Sequence, residues 1–310
     1  MHGQDTVNGQ EGPGQLKLGA HMSIAGGYAK ALERGKEVSC TVVQLFTKNT
    51  NQWAAKPITP EEAELFKKTR QEMGYGREDV IAHDSYLINL ASPDEALWEK
   101  SVNAFGHELD RCAMLDIPAL VTHAGAHMGA GEEVGLARIA RALDRVLDER
   151  ADHDVMVLLE VTAGQGTCLC YCFEHLARVI ELVSPAHQPR IGVCWDTCHL
   201  LVAGIDFTDE YKYERMVERF DRIVGLDRLR AIHMNDSKKG LGSRVDRHEH
   251  IGKGMLGLEP FRLIMNDRRF VHLPKILETP KGPDMAEDRV NLEVLRSLAG
   301  VSADVDRAQP

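Results

Sequence analysis

VMVLLEVTAGQGTCLCYCFEHLARVIELVSPAHQPRIGVCWDTCH (residues 155–199) contains the unit from which the rest of the chain can be read. An apolar, β-branched run at 155–161 leads into a Gly-containing stretch. Apolar residues at helical spacing follow over 173–183, and a second apolar run occupies 191–197. Both runs are apolar at successive positions, which marks strands buried on both faces. Strands joined through a helix in this way run parallel. The first run carries Glu160 near its end and the second Asp196.

The same rhythm extends in both directions. Strands are expected at 16–23, 41–47, 79–84, 119–125, 155–161, 191–197, 229–236 and 274–279. Helices are expected at 25–37, 60–73, 93–115, 131–150, 173–183, 209–224, 258–267 and 285–298. The second helix opens Thr59-Pro60-Glu61-Glu62, with a cap residue, proline at the first helical position and early acids. The third follows Ser92 in the same way. Eight strand–helix units predict an α/β fold of the single (β/α)8 barrel type, with its site at the C-terminal ends of the strands. An open doubly wound sheet needs a Gly-rich phosphate loop after the first strand, and Ala25-Gly26-Gly27 is too weak a signal for one. The expected layout is a barrel over 16–299, with flexible tails at 1–15 and 300–310. No fixed-period repeat is present.

The composition is that of an ordinary globular protein: 310 residues, 43% hydrophobic and 27% charged. The apolar runs are too short to span a bilayer, and MHGQDTVNGQEGPGQ has no apolar signal core, so the expected compartment is the cytoplasm. Seven unevenly spaced cysteines do not form a disulfide framework, and Cys168, Cys170 and Cys172 read as small buried hydrophobes. Lys and Arg number 37 against 47 Asp and Glu, a net −10. That field argues against a nucleic-acid binder unless bound cations reverse it locally. At 5% aromatic residues, an extended base-stacking surface is not expected.

The polar residues at the strand ends carry the chemistry. His21, His83, His123, Glu160, Asp196, His233 and Glu278 each end an apolar run. In a barrel these ends converge on one mouth. Carboxylates gathered there repel one another, and multivalent cations relieve that repulsion. Asp246 and His248, two apart, share a face if the chain is extended, and His199 lies one turn past Asp196. Imidazole and carboxylate ligands without an obligatory thiolate favour Zn²⁺, with Mn²⁺ or Fe²⁺ as substitutes. Leaving His21 aside, the nine others call for more than one ion.

These residues sit in motifs that resemble the endonuclease IV family, metal-dependent apurinic/apyrimidinic (AP) endonucleases of DNA base-excision repair, also called deoxyribonuclease IV. The matching stretches are GAH (19–21) with Gly26-Gly27, LFTKN (45–49), HDSYLINL (83–90), EVTAGQG (160–166), DTCH (196–199), HMND (233–236), GSRVDRH (242–248) and ILET (276–279). The resemblance implies three Zn²⁺ ions in a (β/α)8 barrel. His83 and His123 would hold the first, with Glu160 bridging to the second. Asp196, His233 and Glu278 would complete the second, and His199, Asp246 and His248 would hold the third. Three positions depart from the family pattern: Ala124 stands where proline is usual, Val161 where asparagine is usual, and Asn51 where some members place an arginine that enters the DNA.

The expected reaction is hydrolysis of the phosphodiester 5′ to an abasic site in duplex DNA, leaving a 3′-hydroxyl and a 5′-deoxyribose phosphate, with 3′-end cleaning alongside. The catalytic residues would be Glu160, positioning the nucleophile, and Glu278, taking its proton. Three divalent ions among four carboxylates leave the site net positive. Lys48, Lys238, Lys239, Arg244 and Arg247 would contact flanking phosphates. Asn51, Gln52, Trp53 and Tyr86 would lie on mouth loops against the DNA, and the enzyme would act as a monomer. The competing expectation is a metal-dependent sugar isomerase or epimerase of the xylose isomerase-like barrel type, which has no need of the Asp246/His248 pair.

Overall fold

The computed structural model describes residues 16–300. Its main strands are β1 (Leu18–Met22), β2 (Val42–Phe46), β3 (Val80–His83), β4 (Ala119–Thr122), β5 (Met156–Glu160), β6 (Ile191–Asp196) and β7 (Leu229–His233). A two-stranded ribbon of β8 (Asp236–Ser237) and β9 (His248–Glu249) follows, and then β10 (Lys275–Leu277). Eight of them, all parallel, close into a barrel in the order β1-β10-β7-β6-β5-β4-β3-β2. The helices between them are α1 (Tyr28–Glu37), α2 (Pro60–Glu72), α3 (Glu95–Met114), α4 (Glu132–Asp148), α5 (Phe173–Leu182), α6 (Thr197–Ala203), α7 (Glu210–Ile223) and α8 (Glu259–Asn266), and α9 (Ala286–Leu298) follows β10. The tails expected at 1–15 and 300–310 lie outside the described residues, except Gly300, whose N–H donates to Asn266 Oδ1 at 2.6 Å. No helix among the described residues is long and apolar enough to cross a membrane.

Strand pleating sorts each strand into two sets of side chains. One set, including Val43, Leu45, Leu159, Val193 and Ile232, packs outward under the helices in the main core. The other points into the barrel and makes a second core of Val42, Ile81, Ala119, Val121, Leu158, Cys194, Ala231 and Ile276. Two positions further along each of seven strands, the inward side chain is polar: Gln44, His83, His123, Glu160, Asp196, His233 and Glu278. In β1 the corresponding pair is Gly19 and His21. A methyl group on Gly19 would stand 1.7 Å from the Val42 carbonyl oxygen, so β1 can close against β2 only with glycine there.

One irregularity matters for the site. Register between β6 and β7 shifts after Val193, which pairs with Leu229, while Cys194 pairs with Ala231. The extra residue, Arg230, is exposed. Without the shift Asp196 would face Ile232; with it, Asp196 faces His233.

Several expected boundaries move for identifiable reasons. The first helix begins at Tyr28 rather than at 25, because Gly26 and Gly27 hold φ of 89° and 119°. Helix α2 has its capping box, with Thr59 accepting from Glu62 N–H and Glu62 accepting from Thr59 N–H. Helix α3 is capped by Asp94, not Ser92, and starts at Glu95. Strand β7 ends at His233 rather than 236, because Asp236 and Ser237 pair antiparallel with Glu249 and His248. Helix α6 lies within a stretch that the sequence pattern leaves without a helix. Asp196 caps it, accepting from His199 N–H at 2.8 Å, and Gly204 ends it in the left-handed conformation.

Candidate metal centre at the barrel mouth

The nine residues expected as ligands come from separate strands and loops and meet in one pocket. Glu160, fully buried at the end of β5, is its centre. Its Oε2 lies 3.1 Å from His83 Nε2 and 3.0 Å from His123 Nε2. Its Oε1 lies 3.1 Å from His233 Nδ1, which is 3.2 Å from Glu278 Oε2 and 4.0 Å from Asp196 Oδ2. A third group forms where α6 meets the β8–β9 ribbon. His199 Nε2 is 3.2 Å and His248 Nε2 3.4 Å from the Asp246 carboxylate. His248 Nε2 is also 3.6 Å from Asp196 Oδ2. Glu160 thus touches the first two groups and Asp196 the last two.

Four groupings here could hold a metal ion, three of them without a thiol: His83, His123 and Glu160; Glu160, Asp196, His233 and Glu278; and Asp196, His199 and His248. The orphaned nitrogens argue in the same direction. Nε2 of His199 and of His248 are buried and have no hydrogen-bond partner, a costly state that a cation between them and Asp246 would relieve. The fourth grouping is Cys198 with Asp246 and His248; burial pushes the Cys198 thiol up to about 12 when no cation is bound.

Main-chain carbonyls turn three of the imidazoles. His83 Nδ1 is bonded to Asp84 O at 2.9 Å, His199 Nδ1 to Val161 O at 2.9 Å and His248 Nδ1 to Glu278 O at 3.2 Å. A carbonyl only accepts, so each Nδ1 carries a proton and each Nε2 is the nitrogen turned to the pocket, where its lone pair could serve a cation. The contact to Val161 uses only its backbone. The usual asparagine is not needed there for that purpose.

Charge is balanced tightly. Burial opposes ionisation of Glu160, but His123 and His233 outweigh it and hold the carboxyl well below the usual range. Burial likewise opposes ionisation of Glu278, and the nearby charge of His233 is the largest influence that overcomes it. Asp246 falls to about 2, with burial overridden by His199 and His248. Burial opposes protonation of His199 and His233, yet neighbouring anionic groups push both well above the ordinary imidazole range. Protons on imidazoles therefore compensate the carboxylates, a task that divalent cations can take over.

A cavity of about 360 Å³ opens above these groups, with Tyr86, Lys238, Arg247 and Pro280 on its rim. Tyr86 is 62% exposed, and its ring stands 5.8 Å from that of His83 and 6.0 Å from that of His123. Arg244 is exposed and lies 4.5 Å over the Tyr171 ring. Lys239, Asn51 and Gln52 are exposed as well. Ser85 Oγ donates to Thr50 O at 2.6 Å, tying the loop that carries Asn51 and Gln52 to the turn that carries Tyr86.

Two expected DNA contacts are placed otherwise. Lys48 is buried, 3.4 Å from Glu108, and donates to Trp53 O at 3.1 Å. Its charge is neutralised inside the protein, so it does not offer a phosphate contact. Trp53 packs partly buried against the core, with the Lys100 ammonium 4.2 Å above its ring.

A family model described as a xylose isomerase-like TIM barrel matches residues 32–298. A "Probable endonuclease 4" of Chloroflexus aurantiacus is 57% identical over 282 residues, 91% of this chain and 98% of that relative. The chain belongs to the endonuclease IV family. The crystal structure of endonuclease IV from Thermus thermophilus matches with a TM-score of 0.79 at 34% identity, covering 91% of this chain and 98% of that one. A D-tagatose 3-epimerase-like protein matches with a TM-score of 0.68 at 16% identity over 91% of this chain and 97% of its own, a likeness of fold alone.

In this member of the endonuclease IV family the pocket also contains residues that strand-end reading does not select as ligands or supports. Asn235 is fully buried; its Nδ2 donates to Asp196 Oδ2 at 2.6 Å and its Oδ1 accepts from Glu278 N–H at 2.7 Å. Gln44 is fully buried between His21, His233 and Glu278. The available signal for Gln44 is a polar side chain inside the otherwise apolar run Val42-Val43-Gln44-Leu45-Phe46.

Proposed function

We propose that this member of the endonuclease IV family hydrolyses the phosphodiester 5′ to abasic sites in duplex DNA, leaving a 3′-hydroxyl and a 5′-deoxyribose phosphate, and that it also trims blocked 3′ ends. The observation that carries the reading is the three adjoining ligand groups at one barrel mouth, joined through Glu160 and Asp196. Their mixed imidazole and carboxylate donors suit Zn²⁺, with Mn²⁺ or Fe²⁺ as substitutes, at three ions per chain. His83, His123 and Glu160 would hold one; Glu160, Asp196, His233 and Glu278 another; His199, Asp246 and His248 the third, with Asp196 close by. Such ions supply Lewis-acid polarisation of the phosphate and neutralise charge on the oxygens that attack and leave.

The chain's own groups do the rest. Glu160 fixes the spacing of the first two ligand groups through its two oxygens. Glu278, at 14% side-chain exposure, opens to the cavity and takes the proton of the attacking water at its carboxylate. Arg244, Arg247, Lys238 and Lys239 hold flanking phosphates, which position the duplex without reading its sequence. Tyr86, Asn51 and Gln52 enter the space beside the lesion. An abasic nucleotide has no base to unstack, so turning it into the cavity costs less than turning out an intact one. The enzyme acts as a monomer on cytoplasmic DNA. Incision of an abasic duplex by the zinc-loaded chain tests the reading. Cleavage immediately 5′ to the lesion and about three ions per chain are expected; an inert, fully loaded protein, or one ion per chain with turnover of free sugars, would replace it with the isomerase reading.

A further inference from the structure

His233 differs from the imidazoles that main-chain carbonyls orient. Its Nδ1 faces Glu160, Glu278 and Asp196, and its Nε2 meets a side chain, Gln44 Oε1, at 2.8 Å. On the other end of the same amide, Gln44 Nε2 donates to Glu278 Oε1 at 2.6 Å and lies 3.0 Å from His21 Nδ1. All groups involved are buried or nearly so.

One premise settles every proton in this chain of contacts. Glu278 is an ionised carboxylate and can only accept, so the amide nitrogen of Gln44 must face it. The amide oxygen then necessarily faces His233, and an oxygen cannot donate. Nε2 of His233 therefore carries a proton whatever else is bound, and Nδ1, which faces the carboxylate cluster, is the nitrogen whose proton a cation would replace and whose lone pair it would take. The second N–H of Gln44 goes to His21 Nδ1, which makes His21 the acceptor. His21 packs at 4.1 Å against the Phe46 ring, which keeps it in place.

We propose that Gln44 is a positioning residue of the metal pocket: its amide holds the Glu278 carboxylate with one end and fixes the tautomer and aim of His233 with the other. The inference rests on the metal reading given above. It goes further in assigning the orientation of two ligands from different strands, β7 and β10, to one side chain of a third strand, β2. Rotating that amide by half a turn would set oxygen against carboxylate, so the arrangement has one sense only.

The test uses the full chain loaded with Zn²⁺ and labelled with ¹⁵N-histidine. Long-range ¹H–¹⁵N spectra should show His233 protonated at Nε2 in the wild type; an unprotonated Nε2 there overturns the proposal without any variant. Gln44→Met keeps the volume and removes every hydrogen bond. It should fold, lose the single His233 tautomer and release Zn²⁺ to a chelator at least about 10-fold faster, in line with the effect of removing an outer partner of a ligand. Gln44→Glu keeps an acceptor for His233 but sets a like charge against Glu278. It should preserve the His233 signature while still losing Zn²⁺ faster, separating the two bonds. If both variants release Zn²⁺ at the wild-type rate with unchanged His233 signals, Gln44 is packing only and the proposal fails. A wild-type chain that takes up no Zn²⁺ would instead remove the metal reading beneath it.

Discussion

Glu160 is the residue on which most depends. Both its oxygens are engaged and it has no exposure, so a neutral isostere keeps the packing while removing a charge shared by two ligand groups. Glu160→Gln should remain folded. It should lower incision of an abasic duplex by more than the roughly 100-fold cost of losing an outer partner of a ligand; near-normal turnover with full metal content would refute its bridging role. At this scale the sequence is informative wherever a charged residue ends an apolar run, since burying a charge there is costly unless a partner or an ion awaits it. It is less so where the residue is neutral. Gln44 and Asn235 work by hydrogen bonds alone, and an amide in a strand does not declare its partners. Lys48 misleads for the opposite reason: a lysine next to a loop reads as exposed, and its buried partner, Glu108, lies far along the chain on α3.

Among the elements, the barrel strands are legible because burial on both faces forces continuous apolar runs, and the helices because caps and apolar spacing mark them. The short pieces at the mouth are not. Helix α6 has seven residues, too few for a periodic pattern, and the two-residue strands β8 and β9 are held by pairing across a long loop. The register shift between β6 and β7 leaves no mark in composition. Two predictions belong here. Gly19→Ala forces a methyl into the Val42 carbonyl and should destabilise the barrel by about 3 kcal/mol or more, read as a lower Tm or loss of soluble protein. Lys275, buried at the start of β10, donates to Phe270 O at 2.6 Å and Leu273 O at 3.3 Å, and burial pulls its ammonium from 10.5 down to about 8. Between those values the unfolded chain binds a proton that the folded chain has released, so stability rises with pH across that window. Relative to Lys275→Met, the wild type should gain up to about 3 kcal/mol in urea unfolding between pH 8 and 10.5; a flat difference would show that the lysine titrates normally.

For the molecule as a whole, the decisive contrast is between a net charge of −10 and a mouth whose donors suit cations. DNA affinity should therefore depend on metal loading as well as on salt. Brief exposure to a chelator should leave activity largely intact, because the ligands are buried. Prolonged stripping should abolish duplex binding and lower Tm; immediate loss restored by Mg²⁺ would indicate a different class of nuclease. Arg244→Ala should weaken binding to all duplexes alike and reduce the slope of log K against log salt by about 1, as expected for one phosphate contact. An unchanged slope would place Arg244 off the DNA path, against the Tyr171 ring.

The carbonyls of Asp84, Val161 and Glu278 that steer His83, His199 and His248 belong to the peptide chain, so no single-codon change deletes them. A change of side chain at 161 leaves the steering of His199 intact, so the hydrophobic Val161 serves that contact as well as any other residue would. His233 has no such insulation. Among these four imidazoles it is the one whose setting drift can erase at a distance, and lineages of this enzyme should differ most in how they have secured it.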